Sequence, residues 1–313
     1  MLGATASAKG EGTRPFRASG TLLGKDAALE LSGLNAGAGV NWQSLKAYGF
    51  DVGEGELKAT VERGVAKTNL IKASFGGGTI VLEPSLKLNP GRYDLSFQPG
   101  AIISKAKLTP AVCAEALGYA LPAIANSAQA DGTFSFDLGD NLIPLADYTK
   151  MRGKGNLTIH DATVAPGPVV AQLVEALGMQ TPKMQLSRGN VVPIEVKDGR
   201  VYHKDFVLNV GGTSVTSAGS VGLDGSLDVT LTVPVGGFIA EKLLPNNPLI
   251  QKALGQQTIA IAVGGTMSKP VLNREAMKGA LAKIVEKAIK DAGQNAAEDV
   301  FKKGLEGLLK PKK

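Results

Sequence analysis

Hydrophobic and polar positions alternate with a period of two along most of the chain. In "GSVGLDGSLDVTLTVPV" (219–235), Val221 and Leu223 lead into Asp224-Gly225, and Leu227, Val229, Leu231, Val233 and Val235 follow at every second residue. A strand with one buried face produces this pattern, because successive side chains leave opposite faces of the sheet. The rhythm recurs at Ile80/Leu82, Leu86/Leu88, Tyr93/Leu95/Phe97, Phe134/Phe136/Leu138, Leu157/Ile159 and Ile259/Ile261/Val263. Turn residues punctuate it at Arg63-Gly64, Gly76-Gly77-Gly78, Pro90-Gly91, Asp198-Gly199 and Gly211-Gly212, and a further pair of short strands is expected around Gly24-Lys25-Asp26. The gaps are too short for parallel crossovers, so about fourteen strands are expected to run as an antiparallel meander.

Helical spacing interrupts this pattern in five places. Residues 41–48 read as a short helix with Asn41 as N-cap and Gly49 just past its end. Residues 109–128 form a helical insertion, with Thr109 as cap, Pro110 in the first helical position and Pro122 as a break. Helices are expected near 168–177 and, as a pair, within 238–254, where Asn247 caps the second and Gly255 ends it. In the tail, 273–313, Met277, Leu281, Ile284, Val285, Ala288 and Ile289 form an apolar stripe, and Val300, Phe301, Leu305, Leu308 and Leu309 form a second set after Gly293.

The predicted organisation is a disordered segment at 1–15, a first meander at 16–108, the insertion at 109–128, a second meander at 129–272 and a basic amphipathic helical tail at 273–313. The fold class is mainly β: a long curled antiparallel meander with a few short helices. A half-apolar sheet has to cover its apolar face. Four short helical pieces cannot cover so many strands. The sheet therefore packs on a second sheet, closes into a barrel, or curls into a groove that holds an apolar ligand. A sandwich with a filled core is the plainest of these. The scarcity of bulky aromatics, 5% of 313 residues, leaves room for the groove.

Charge changes the picture only at the tail. The net charge is +6, and residues 274–313 hold ten Lys/Arg against six Asp/Glu, a surplus of four that leaves about +2 for the rest. That points to an anionic membrane surface or partner for the tail. The strands carry no basic stripe interleaved with aromatics, so nucleic acid is not an expected partner. No apolar run reaches the roughly 18 residues of a membrane-spanning helix, and the N-terminus lacks the apolar centre of a signal peptide.

Candidate chemistry is sparse. The one cysteine, Cys113, rules out an intrachain disulfide and reads as a buried thiol. His160 and His203 stand without a spaced set of further ligands, so no metal site is expected. There is no G-x-S-x-G elbow and no phosphate loop. The glycine clusters at 76–79 and 211–213 lie between strands, as hairpin turns do. Asp137 and Asp140 read as turn residues beside Gly139, and Asn156-Leu157-Thr158 matches the N-glycosylation pattern, which is common by chance. The chain reads as non-enzymatic, with no catalytic residues and no cofactor.

One stretch is more specific. The "x-DG-x-V" strand at Asp198-Gly199, the "G-x-V-x-LDG-x-LD" hairpin at 219–228 and the closing "I-x-V-x-G-T-x-x-KP" strand at 261–270 resemble the C-terminal region of AsmA-like proteins, the group that includes TamB-type envelope proteins. The resemblance spans roughly 40–270 and is best at 130–270. It implies a curled β-groove with an apolar interior, a place in the cell envelope on the periplasmic face or at a membrane, and non-enzymatic transport of phospholipid in envelope biogenesis. Leu157, Ile159, Phe206, Leu208, Val210, Val221, Leu223, Leu227, Val229, Leu231, Val233, Ile259, Ile261 and Val263 would then line the groove against acyl chains. Met277, Leu281, Ile284, Val285, Ile289, Phe301, Leu305 and Leu308 would contact a membrane surface or an envelope protein. The chain departs from the family in lacking the N-terminal membrane anchor and in its shortness, so it reads as a C-terminal segment or a truncated member. The other reading is a purely structural β-sandwich.

Overall fold

The computed structural model describes residues 31, 33–89, 92–177, 184–186, 189–244, 248–255, 257–291 and 301, together with two short strands at 7–9 and 17–19. The chain is mainly β, built on one large antiparallel sheet.

The first twelve strands are β1 (Ser7–Lys9), β2 (Arg17–Ser19), β3 (Asn35–Trp42), β4 (Ser44–Ala47), β5 (Phe50–Val52), β6 (Gly55–Glu62), β7 (Val65–Thr68), β8 (Ile71–Phe75), β9 (Gly78–Leu82), β10 (Pro84–Asn89), β11 (Arg92–Phe97) and β12 (Gly100–Lys107). From β3 to β12 they belong to five long strands that are each broken once, at Gln43, Gly53-Glu54, Asn69-Leu70, Glu83 and Gln98-Pro99. The breaks lie side by side and form a crease that divides the sheet into two wings. β1, β4, β5, β8, β9 and β12 pair in one wing. β2, β3, β6, β7, β10 and β11 pair in the other.

β13 (Ala130–Pro144) spans the crease. Its first half pairs with β12, and its end, Ile143 and Pro144, pairs with β11 of the second wing. β14 (Arg152–Val164) follows β13 along nearly its whole length. The remaining strands continue the first wing: β15 (Met184–Leu186), β16 (Asn190–Lys197), β17 (Arg200–Val210), β18 (Thr213–Gly222), β19 (Leu227–Pro234), β20 (Thr258–Gly265) and β21 (Pro270–Leu272).

Side chains hold the crease where the backbone ladder lapses. The Trp42 indole N–H donates to the Gly53 carbonyl at 2.8 Å. The Asn69 amide accepts from Lys58 N at 2.6 Å and donates to the Glu56 carbonyl at 3.3 Å. The Asn141 amide accepts from Phe97 N and donates to Phe97 O, both at 2.8 Å. An asparagine side chain carries the same donor and acceptor as a peptide group, so it substitutes for the missing rung.

Among the described residues, helices cover the inner face of the second half of the sheet, and the insertion also packs against Phe50, Phe75 and Ala106 of the first wing. The insertion forms α1 (Pro110–Val112), a π turn (Cys113–Leu117), α2 (Gly118–Ala120) and a 3₁₀ turn (Pro122–Ile124), and Thr109 Oγ1 caps it by accepting from Val112 N. α3 (Pro168–Ala176), α4 (Phe238–Leu243), α5 (Pro248–Leu254) and α6 (Arg274–Asp291) follow. α2 packs on β17 and β18, α3 on β21, and α6 on β20 and α5. At the end of the sheet, the Gln172 side chain of α3 donates to Pro270 O and accepts from Leu272 N. Asn273 N bonds inward to Ala262 O, so the groups that Gln172 engages point away from β20.

The structure corrects four sequence expectations. The helix expected at 41–48 is instead the end of β3, the strand β4 and a hairpin turn at Tyr48-Gly49, both residues at positive φ. Pairing of β4 with both β1 and β5 outweighs its local helical spacing. The segment 1–15, expected to be disordered, contains β1. Among the described residues, twenty-one strands replace about fourteen, because the crease splits the long strands of the first half. Asp137 and Asp140, expected as turn residues beside Gly139, lie within β13, which runs on to Pro144. The turn expected around Gly24-Lys25-Asp26 and the one at Pro90-Gly91 lie outside the described residues.

Within the covered half, Gly219 has φ +139°, and a Cβ there would stand 2.3 Å from the Asp228 carbonyl of β19. Gly219→Ala is therefore expected to destabilise the protein by about 2 kcal/mol, through strain and a forced shift of β19. Urea denaturation measures this as a lower midpoint with an unchanged slope.

Candidate functional site

The inner faces of both wings are apolar, and burial separates them. One cross-strand row of the second wing runs Ala36, Val61, Ala66, Leu86, Leu95, Ile143, from β3 to β13. All six residues are half-buried and none is buried. In the first wing, a row runs Ala73, Ile80, Ile103, Phe136, Leu157, Val192. It starts buried at Ala73, is half-exposed at Ile80, Ile103 and Phe136, and is buried again from Leu157 onward.

The two wings meet over the crease around a recess of about 250 Å³. Leu82, Ile102, Phe136, Leu138, Ile194 and Val196 wall it from the first wing, and Phe97 and Ile143 from the second, with Asn141 and the segment Met151-Arg152-Gly153-Lys154 completing it. Its surface is apolar throughout, because the one amide beside it, Asn141, is engaged with Phe97 and Gly139.

The residues that the pattern singled out as groove lining lie elsewhere. Leu157, Ile159, Phe206, Leu208, Val210, Val221, Leu227, Val229, Leu231, Val233, Ile259, Ile261 and Val263 are all buried, and Leu223 is half-buried against them. They share one core with Leu121 and Ile124 of the insertion, Leu173 of α3, Leu243 of α4, Leu254 of α5 and Leu281 of α6. Helices fill the space that a ligand would need at these positions, so the apolar surface with no described helix over it is the inner face of the second wing. The strong alternation of 219–235 marks a deep core and not an open face.

The tail stripe is likewise engaged within the protein. Met277, Leu281, Val285 and Ile289 are buried in the same core, Ile284 is half-buried against it, and Phe301 is buried. The face expected to meet a membrane or an envelope protein therefore lies on the protein's own sheet and on α5. Leu305 and Leu308 lie outside the described residues. Among the described residues, no helix is long and apolar enough to cross a membrane.

Each histidine shares a hydrogen bond with a serine: His160 Nε2 with Ser135 Oγ at 2.7 Å, and His203 Nε2 with Ser217 Oγ at 2.8 Å. The second pair is sealed from solvent, and His203 Nδ1 has no hydrogen-bond partner among the described residues. Burial pushes the His203 imidazole down from 6.5 to about 4, which keeps it neutral. With no described carboxylate to orient the ring and no route for a substrate, the pair lacks what nucleophilic catalysis requires. Burial also raises the Cys113 thiol to about 12, where it stays protonated and unreactive.

On the outer face, a cleft of about 450 Å³ lies among Asp137, Asn156, Pro193, Glu195, Tyr202 and Lys204. A hydrogen bond from Lys197 holds the Glu195 carboxyl below its usual range, and the same ammonium sits 5.0 Å above the Tyr202 ring. Among the described residues, no group of three or more His, Cys, Asp or Glu could hold a metal ion. No protein-family model matches the chain, and neither does any curated protein or any solved structure.

Proposed function

We propose that this protein is a non-enzymatic module that holds phospholipid acyl chains along the uncovered apolar face of its creased sheet, as part of envelope biogenesis. One observation carries the reading: an apolar row crosses six strands with no described helix over it, while helices bury the inner face of the later strands of the same sheet. The row spans five inter-strand steps of ~4.8 Å, roughly 24 Å. An acyl chain occupies about 15 Å of a bilayer leaflet, so one chain fits along it. Burial is worth about 0.8 kcal/mol per methylene, which for a sixteen-carbon chain is on the order of 10 kcal/mol before ordering costs. The headgroup stays in water at the open side of the trough.

The resemblance of 198–270 to AsmA-like proteins supports the same class of function and a periplasmic or membrane-associated setting. With the α6 stripe already buried, a membrane or envelope partner would meet the open trough in preference to the tail. The competing reading, a purely structural protein with a filled core, draws on the packing of the helical half. Extraction and mass spectrometry of the purified protein decide between them. Co-purifying phospholipid in near-stoichiometric amount is expected, and protein free of lipid that also takes none up from vesicles would rule the groove out.

A further inference from the structure

One residue in the wall of the recess carries no side chain. Gly153 lies in the inward row between Asn141 of β13 and Val196 of β16. Most of its neighbours around the recess are large and apolar, yet it contributes no side chain. A Cβ at this position would find its nearest neighbour, the Asn141 Cβ, at 3.5 Å. That is ordinary van der Waals contact, so position 153 accepts a side chain, and a long one would extend into the recess. A recess with an apolar surface favours an apolar guest over water.

The recess also lies where the open face stops. Past Val196, the inward position on β17 is its partner Val201, and Val221 of β18 follows. Both are buried, and α2 packs on these two strands. The volume of about 250 Å³ falls below the roughly 300–1,000 Å³ of sites that enclose a whole small molecule. It holds part of one chain, not two tails side by side.

We propose that the recess receives the methyl end of a single unbranched acyl chain whose remainder lies along the uncovered row. The groove is then blind at this end, and a ligand enters and leaves only from the side of β3. This rests on the acyl-chain reading above and adds a direction and a length limit to it. The protein holds a chain end and does not conduct the chain onward past α2.

The test is a series of saturated fatty acids of eight to eighteen carbons, titrated into the full chain and into Gly153→Leu, with thermal melts to verify folding. Leucine at 153 fills the recess and pushes the chain outward by about three carbons. Each fatty acid is therefore expected to bind the variant as a chain about three carbons shorter binds the wild type, and the sixteen-carbon acid at least tenfold more weakly. Val196→Phe fills the recess from the neighbouring strand and is expected to act in the same way, which keeps the test decisive if Gly153→Leu does not fold. If fatty acids bind the wild type and the filled variants alike, the blind recess is overturned while the groove stands. If none binds the wild type at any length, the acyl-chain reading itself fails, and this inference with it.

Discussion

Leu231→Asp is expected to abolish cooperative folding, whereas Leu95→Asp, the same change on the same sheet, is expected to leave a folded protein. Leu231 is 0% exposed beneath the helices. A carboxylate there would lose its hydration without gaining a partner, a cost of several kcal/mol even after protonation. That is of the order of the whole stability of a domain, about 5–15 kcal/mol. Leu95 is half-buried on the uncovered row, where a carboxylate can still reach water, and the expected loss is about 1 kcal/mol. Circular dichroism melts of the two variants check this. Similar losses at both positions would mean that the uncovered wing is not uncovered in solution.

The second large effect is on pH dependence. In the unfolded chain His203 takes up a proton near pH 6.5, but in the folded protein only near pH 4. Between these values the unfolded state binds more protons, so stability falls as pH falls from about 6.5 to about 4 and changes no further from this group below that. The 2.5-unit gap between the two values amounts to roughly 3 kcal/mol. Asp147, Glu195 and Asp224 act in the same direction at lower pH. Hydrogen bonds from Thr149, Lys197 and Ser226 respectively hold their carboxyls below the usual range, so the stability they confer is lost as they protonate. His203→Gln is expected to flatten the limb between pH 6.5 and 4 and leave the more acidic limb in place. Urea midpoints at several pH values separate the two.

Much of the meander is legible from turn chemistry. Arg63-Gly64, Asp198-Gly199 and Gly211-Gly212 all adopt the positive φ values of tight hairpins, and their residue types announce it. Tyr48-Gly49 makes the same kind of turn, although the spacing before it suggests a helix end. Eight residues are too few to separate a period of 3.6 from a period of 2, and the pairing that decides the matter comes from 7–9 and 50–52. The crease is not legible, because Gln43, Glu83 and Gln98-Pro99 are polar and turn-forming residues of the kind found at many strand ends. What marks them is their alignment across strands.

The position of the open face escapes the sequence for a related reason. A strand's own alternation shows that one face is apolar, not what lies over it. The cover for 219–235 comes from helices as remote in sequence as 110–124 and 274–291. The uncovered row contains Ala36 and Ala66, whose small side chains weaken the very contrast that draws the eye. The glycine beneath the recess gives no local sign at all.

The Gln172 side chain has a consequence for the protein in concentrated solution. A meander that never closes on itself ends in a strand whose outward donors and acceptors would template a neighbouring molecule, the first step toward fibrils. At β21 those groups are already taken by one glutamine on a helix, which offers no further edge of its own. Growth of the sheet from that side therefore stops within the molecule.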